Sequence, residues 1–316
     1  MIAFGYFGRR VASTIPMLVL VGLITFLMLH LTPGDPAAVV AGENASLEAI
    51  EDARHRLGLD QPFVVQFVRW FSAVLSGDLG ISFTSGKPVT ELIFDRMPIT
   101  LSLTAGATLI GLFLAIPLGV FAAVQRGSWL DRGTILVTSL GIAAPEFFIG
   151  LLLVLVVALE FGWLPATGYV PFAENPLEWA LRLILPSLTL GVGIAAELTR
   201  QVRGAMIDVL SRDYIQTARA KGLSAFSVII KHGLKNAAIP VITVLGLQIR
   251  RLLGGTVIIE QIFAMNGVGS LAVRAVFHRD LPVLLGVALT TAVVVLVVNL
   301  LVDLSYSYFD PKVRAG

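Results

Sequence analysis

The chain has 316 residues, 56% hydrophobic and only 14% charged, with a mean hydropathy of +0.86. An average soluble domain carries about 25% charged residues, so this composition excludes an ordinary soluble protein. A net charge of +2 is too small to imply a nucleic-acid partner, and the absence of cysteine excludes disulfides, thiolate catalysis and cysteine-ligated metal.

Long uncharged runs recur, each able to cross a hydrocarbon core of roughly 30 Å as a helix. They predict an all-α membrane protein with six transmembrane helices and both termini cytoplasmic. The first, 11–31, follows Arg9 and Arg10; it exceeds a signal-peptide core in length and no A-x-A site follows it, so it reads as a retained span. Residues 32–97 form a large polar insertion opening with T-P-G-D-P, and its nine acids against five bases fit the outside face. Within it, Ser46 is placed to cap a short helix ending at Gly58, with Asp52 and Arg56 spaced for an i, i+4 pair. Pro62 suits the first turn of a second helix, on which Phe63, Phe67 and Phe71, with Val64, Val68 and Leu75, form an apolar face.

Spans two to six fall at 98–124, 133–159, 183–209, 237–259 and 281–302. The third is interrupted by Pro145-Glu146, and the fourth carries Glu197, Arg200 and Arg203 in its second half. Outside loops with Trp163, Trp179 and Pro165, and then E-Q-I-F-A-M-N-G-V-G (Glu260 to Gly269), alternate with basic segments. The most basic is 210–236, where Arg212, Arg219, Lys221, Lys231 and Lys235 oppose the single acid Asp213. Lys and Arg near span ends resist translocation, so this segment, Arg126 with Arg132, and Lys312 with Arg314 belong inside. The whole reads as one membrane domain, 1–316, without internal repeats. Prolines 16, 117, 145, 186 and 240 are positions where helices should bend or end.

The stretch Asp213–Leu223, D-Y-I-Q-T-A-R-A-K-G-L, followed by H-G-L-K-N-A-A-I-P, resembles the cytoplasmic loop of bacterial ABC importer permeases. Gln216-Thr217-Ala218 stands where that family has E-A-A, and Gly222 where it has glycine. The 18 residues from Gly222 to Pro240 match the dipeptide, oligopeptide and nickel branch. T-P-G-D-P, L-G-L-D-Q-P, G-D-L-G-I-S, I-L-P-S-L-T-L-G, R-D-L-P and D-P-K-V-R spread the likeness to the B-type permease of that branch over nearly the whole chain. M-N-G-V-G departs from the usual W-P-G-L-G, with Asn266 replacing proline.

The resemblance implies a transmembrane subunit of the bacterial inner membrane working by alternating access. Its expected partners are a homologous second permease, two cytoplasmic ATPase subunits that hold ATP and Mg, and an extracytoplasmic substrate-binding protein. Membrane lipid surrounds it. The chain itself is expected to bind no cofactor and no metal. Tyr214, Thr217, Ala218, Arg219, Ala220, Lys221, Gly222 and Leu223 would form the ATPase-coupling loop, where the small Ala218, Ala220 and Gly222 would let a partner approach closely. Di- or oligopeptides are the expected cargo, with nickel chelates, glutathione or another small solute as the alternative. A solvated basic loop that only sets topology is the plainer reading of the segment.

No enzyme signature is present: there is no H-E-x-x-H or G-x-S-x-G, and Gly86-Lys87 is followed by Pro88 rather than by the Ser or Thr of a P-loop. His30, His55, His232 and His278 are too scattered for a metal site. An intramembrane enzyme or a channel stands as the different-class reading. Charges inside spans cost about 2.5–3.5 kcal/mol each and mark candidate sites. Glu197, Arg200 and Arg203 are therefore candidates for a path or gate, or for internal ion pairs. Arg250 and Arg251 are adjacent on the fifth span and point about 100° apart. They either snorkel or pair with Glu146, Glu197 or Glu260, or one of them lines the path, where its fork matches a carboxylate.

Overall fold

The computed structural model describes residues 15–28, 36–42 and 45–309. Arg9, Arg10, Lys312 and Arg314, residues 32–35 of T-P-G-D-P, and D-P-K-V-R lie outside the described residues. Among the described residues the chain is helical, with no β-strand and one isolated bridge, Ile81 with Pro88.

Helix α1 (Ile15–Met28) is followed by the short helices α2 (Pro36–Ala41), α3 (Leu47–Leu57), α4 (Phe63–Leu75) and α5 (Val89–Phe94). The caps expected from sequence are realised. Ser46 accepts a bond from the Ala49 amide at 3.2 Å, and Gly58 ends α3 at φ 66°, a left-handed conformation that glycine adopts at no steric cost. Arg56, however, donates to the backbone oxygen of Asp52 rather than to its carboxylate, at 3.3 Å. One side of α4 packs Phe63, Phe67 and Trp70 around Phe26 of α1, with ring centroids 5.3–5.6 Å apart. Val64, Val68 and Leu75 stay exposed on the other side, as an amphipathic helix at an interface requires.

The centre is the pair α6 (Met97–Val124) and α9 (Pro176–Leu210). Lipid supplies no hydrophobic drive between helices, so close packing through small residues must hold them. The structure shows this directly. A Cβ built on Gly111 would lie 2.5 Å from Ile194, one on Gly119 2.7 Å from Val202, and one on Gly191 2.9 Å from Ile110. These glycines let the two backbones approach along most of their length, and Leu103, Ala107, Ala115, Leu190 and Leu198 fill the seam. Gly246 of α11 (Lys235–Gly255) meets Val302 of α14 (Leu281–Phe309) in the same manner, 2.6 Å from a built Cβ.

The third predicted span is broken. Helix α7 (Trp129–Ala143) and the helix α8 (Glu146–Leu153), which runs on into π-helical turns Val154–Glu160, meet at 98°. Pro145 clashes with helical geometry at the residue before it, and Ala144 accordingly adopts ψ 127°. Prolines 117, 186 and 240 lie inside continuous helices, so of the two expected outcomes, a bend or an end, they do not produce an end. Among the described residues four helical units are long and apolar enough to cross a membrane, 89–124, 176–210, 227–255 and 281–305, and the bent pair makes a fifth if it is counted as one span. The 210–236 segment links two long helices and is itself largely helical. It holds helix α10 (Asp213–Ala220) and π-helical turns Ser227–Leu234 that lead into α11. The expected outside loop after the fifth span is likewise helical, forming α12 (Val257–Ile262) and α13 (Val268–Phe277).

Candidate functional site

Three polar centres emerge, and they differ in how completely their groups are satisfied. The first is Glu260, fully buried in α12. Its Oε1 accepts hydroxyl bonds from Thr100 and Thr256, both at 3.0 Å, and its Oε2 accepts the Ser270 amide at 2.7 Å. Thr100 in turn accepts the Val268 amide at 2.9 Å, so one carboxylate joins α6, α12 and α13. A Cβ on Gly267 would lie 2.6 Å from the carboxylate carbon, and one on Gly269 3.2 Å from Oε2. The glycines of N-G-V-G therefore make room for Glu260. Asn266, where the resemblance expects proline, accepts a bond from Arg274 at 3.3 Å. Sequence reading put Glu260 in an exposed loop, and the signal it missed was the G-x-G beginning seven residues later.

The second centre is Asp280, also buried. It accepts the Ser82 hydroxyl at 2.5 Å and the amides of Phe83 and Thr84 at 3.1 and 3.2 Å. Two motifs read separately in the sequence, G-D-L-G-I-S and R-D-L-P, thus meet in space.

The third centre gathers at the break between α7 and α8. Glu146 occupies the first turn of α8, where a helix N-terminus favours an acid. Arg251 of α11 donates through Nη2 to Glu146 Oε1 at 3.0 Å, with its side chain 68% exposed. Pro145, Glu146, Gly193, Glu197, Arg251 and Ile258 line a cavity of ≈ 300 Å³. A Cβ on Gly193 would stand in ordinary contact with Glu146 Oε1, at 3.5 Å. Of the candidates named from sequence, Glu197 and Arg251 meet here. Arg200 sits outside it, loosely paired with Glu197 at 3.6 Å. Arg250 folds back, its Nε donating to the Gly246 carbonyl at 3.3 Å.

Arg203 serves a different end of the molecule. It grips both oxygens of Asp131, at 2.5 and 2.8 Å, while Asp131 Oδ2 also accepts the Gly127 amide at 2.9 Å. The turn between α6 and α7 is thereby tied to α9 as one rigid piece. Nearby, α10 rests on Ile215 and Ala218, which pack against Val228 and Leu210. Ala218 therefore faces inward, and its small size serves packing within the chain rather than a partner's approach. Tyr214, Thr217, Arg219, Ala220, Lys221, Gly222 and Leu223 remain exposed. Gly222 turns the chain at φ 78° with open space beyond it. Among the described residues no group of three or more His, Asp or Glu could hold a metal ion.

Comparison with known proteins identifies this architecture. Residues 115–315 match the model of the binding-protein-dependent transport system inner membrane component, and residues 1–104 match its N-terminal counterpart. The chain belongs to this family. It is an ABC importer permease, a multi-pass inner-membrane transport subunit that acts with a binding protein, and ATP hydrolysis resides in a separate subunit. The permease is 44% identical to a peptide transport system permease of Brucella abortus over 97% of this chain and 98% of that one. It is 42% identical to a glutathione transport system permease of Escherichia coli O6:H1, over 98% of each. An inward-facing structure of the MetNI methionine ABC transporter shares the fold, with TM-score 0.55, 17% identity, and coverage of 69% of this chain and 96% of that one.

Proposed function

We propose that the permease carries di- or oligopeptides, pairing with a homologous second permease and driven by two ATPase subunits that bind ATP and Mg. It works as a single membrane domain with six spans, both termini cytoplasmic and residues 32–97 outside. Four long apolar helices support four of these spans, and in this reading the bent pair and the shorter apolar helix α1 take the other two. The charge distribution supports this orientation. Names of relatives that carry peptides and glutathione support a peptide-like cargo. Nickel chelates remain the alternative within the same machinery.

The observation that carries the mechanism is the form of α10. Its inner side is anchored by Ile215 and Ala218, while Tyr214, Thr217, Arg219, Lys221 and Leu223 project from it. A short helix so held can be pushed without deforming, and the Asp131–Arg203 clamp carries that push to α7 and α9. Closure of the ATPases would then move the spans as a body and open the Glu146–Glu197–Arg251 cavity to alternate sides. Reversing two charges, R219E with K221E, should lower ATP-driven uptake about tenfold or more, since like charges facing each other across an interface cost several kcal/mol. Uptake in proteoliposomes and the assembly state of the complex are read together. Unchanged uptake by a fully assembled double variant would exclude α10 as the coupling element.

A further inference from the structure

The third polar centre is built unlike a structural ion pair. Arg251 lies on a stripe of α11 that also carries Thr243, Leu247 and Gly255, four residues apart, all exposed within this chain. Its guanidinium has five N–H donors in a rigid fork, and a single one reaches Glu146. Glu197, on the opposite wall, has Arg200 at 3.6 Å, a separation too long for a good hydrogen bond. The cavity therefore holds two acids and one base with most of their bonding capacity open, in a place where each charge is costly. Its volume of ≈ 300 Å³ is at the lower end of the range found for small-ligand sites, about 300–1,000 Å³.

We propose that Glu146, Glu197 and Arg251 form an exchangeable charge triad that recognises cargo bearing both a free carboxylate and a free ammonium. In the empty cavity Arg251 and Glu146 neutralise one another. A peptide entering the cavity gives its C-terminal carboxylate to the Arg251 fork, which suits bidentate pairing. Glu146, released, joins Glu197 around the peptide's ammonium. Each charge freed from the internal pair finds a partner on the cargo, so passage does not strand an ion in the membrane interior. Cargo lacking either terminus breaks the pair without replacing it. This inference rests on the reading that the cavity lies on the transport route.

The test uses the complete transporter with its receptor in proteoliposomes. Uptake is measured by mass spectrometry from an equimolar pool of tripeptides with free, N-acetylated or C-amidated termini. The native chain should prefer free peptides. R251Q should lower their uptake about tenfold and erase the preference over C-amides, while E197Q should erase the preference over N-acetyl peptides, because each variant removes a hydrogen bond to a charged terminus. The exchanged pair E146R/R251E restores an internal bridge. Recovery of native uptake by that double variant would reduce the triad to structure and overturn the proposal; assembly without recovery supports it. A separate arm examines the route. The chain has no cysteine, so I258C is the permease's one thiol, and uptake is compared before and after labelling with a bulky maleimide, with the same labelling of the complex holding the native permease as the control for thiols in other subunits. Unchanged uptake after full labelling would place the cavity off the route and sink the underlying reading. Block by the label together with unaltered terminus preferences in R251Q and E197Q would keep the route and overturn the triad alone.

Discussion

Glu260 and Arg251 sit nine residues apart in an apolar stretch, and the same cost of a charge in a membrane applies to both. Glu260 is 0% exposed and receives three hydrogen bonds from three different elements. Arg251 is 68% exposed and makes one. A saturated charge can only hold things together, because moving it would strand three donors. An unsaturated one can trade partners at little cost. The contrast separates the part of the permease that must stay rigid from the part that can respond to cargo.

The comparison can be broken at either end. E260A leaves the Ser270 amide and two threonine hydroxyls without their acceptor, so it should destabilise the fold by about 3 kcal/mol or more. The expected result is poor accumulation of the protein in membranes and a lower unfolding temperature for what is recovered in detergent. Next in size is G119A. A Cβ there would come within 2.7 Å of Val202 and 2.9 Å of the Thr199 carbonyl oxygen, and that backbone cannot swing aside. Overpacking of this kind costs about 1–3 kcal/mol, measured as a shift in denaturant or thermal midpoint with helicity retained. The smallest stability effect is expected from R251Q, which gives up a single hydrogen bond where E260A gives up three. Equal destabilisation by R251Q and E260A would remove the distinction between the two charges. A near-neutral E260A would do the same from the other side.

Much of the architecture is legible before any coordinates. Long uncharged runs announce the helices, and the Ser46 and Gly58 caps follow from side-chain chemistry within a few residues. The string from Asp213 to Leu223 carries the likeness to the family that the chain belongs to. What fails is everything that depends on a residue distant in the chain. Ala218 looks like a residue left small for a partner, yet it is small because Val228 packs beneath it. Arg203 could be a path residue or half of an internal ion pair, and only the structure supplies the partner, Asp131, 72 positions earlier. Pro145 is one of several prolines in the sequence, and it alone among 117, 145, 186 and 240 breaks a helix into a sharp angle.

Sequence by itself determined the class, the family and the runs that become long apolar helices, because hydropathy, run length and contiguous motifs are local quantities that act without reference to the rest of the chain. Tertiary structure alone decided the role of each intramembrane charge. The energy of a charge in an apolar medium depends on which partners reach it from other helices, and Thr100 for Glu260, Ser82 for Asp280 and Glu146 for Arg251 become neighbours only once the helices have packed.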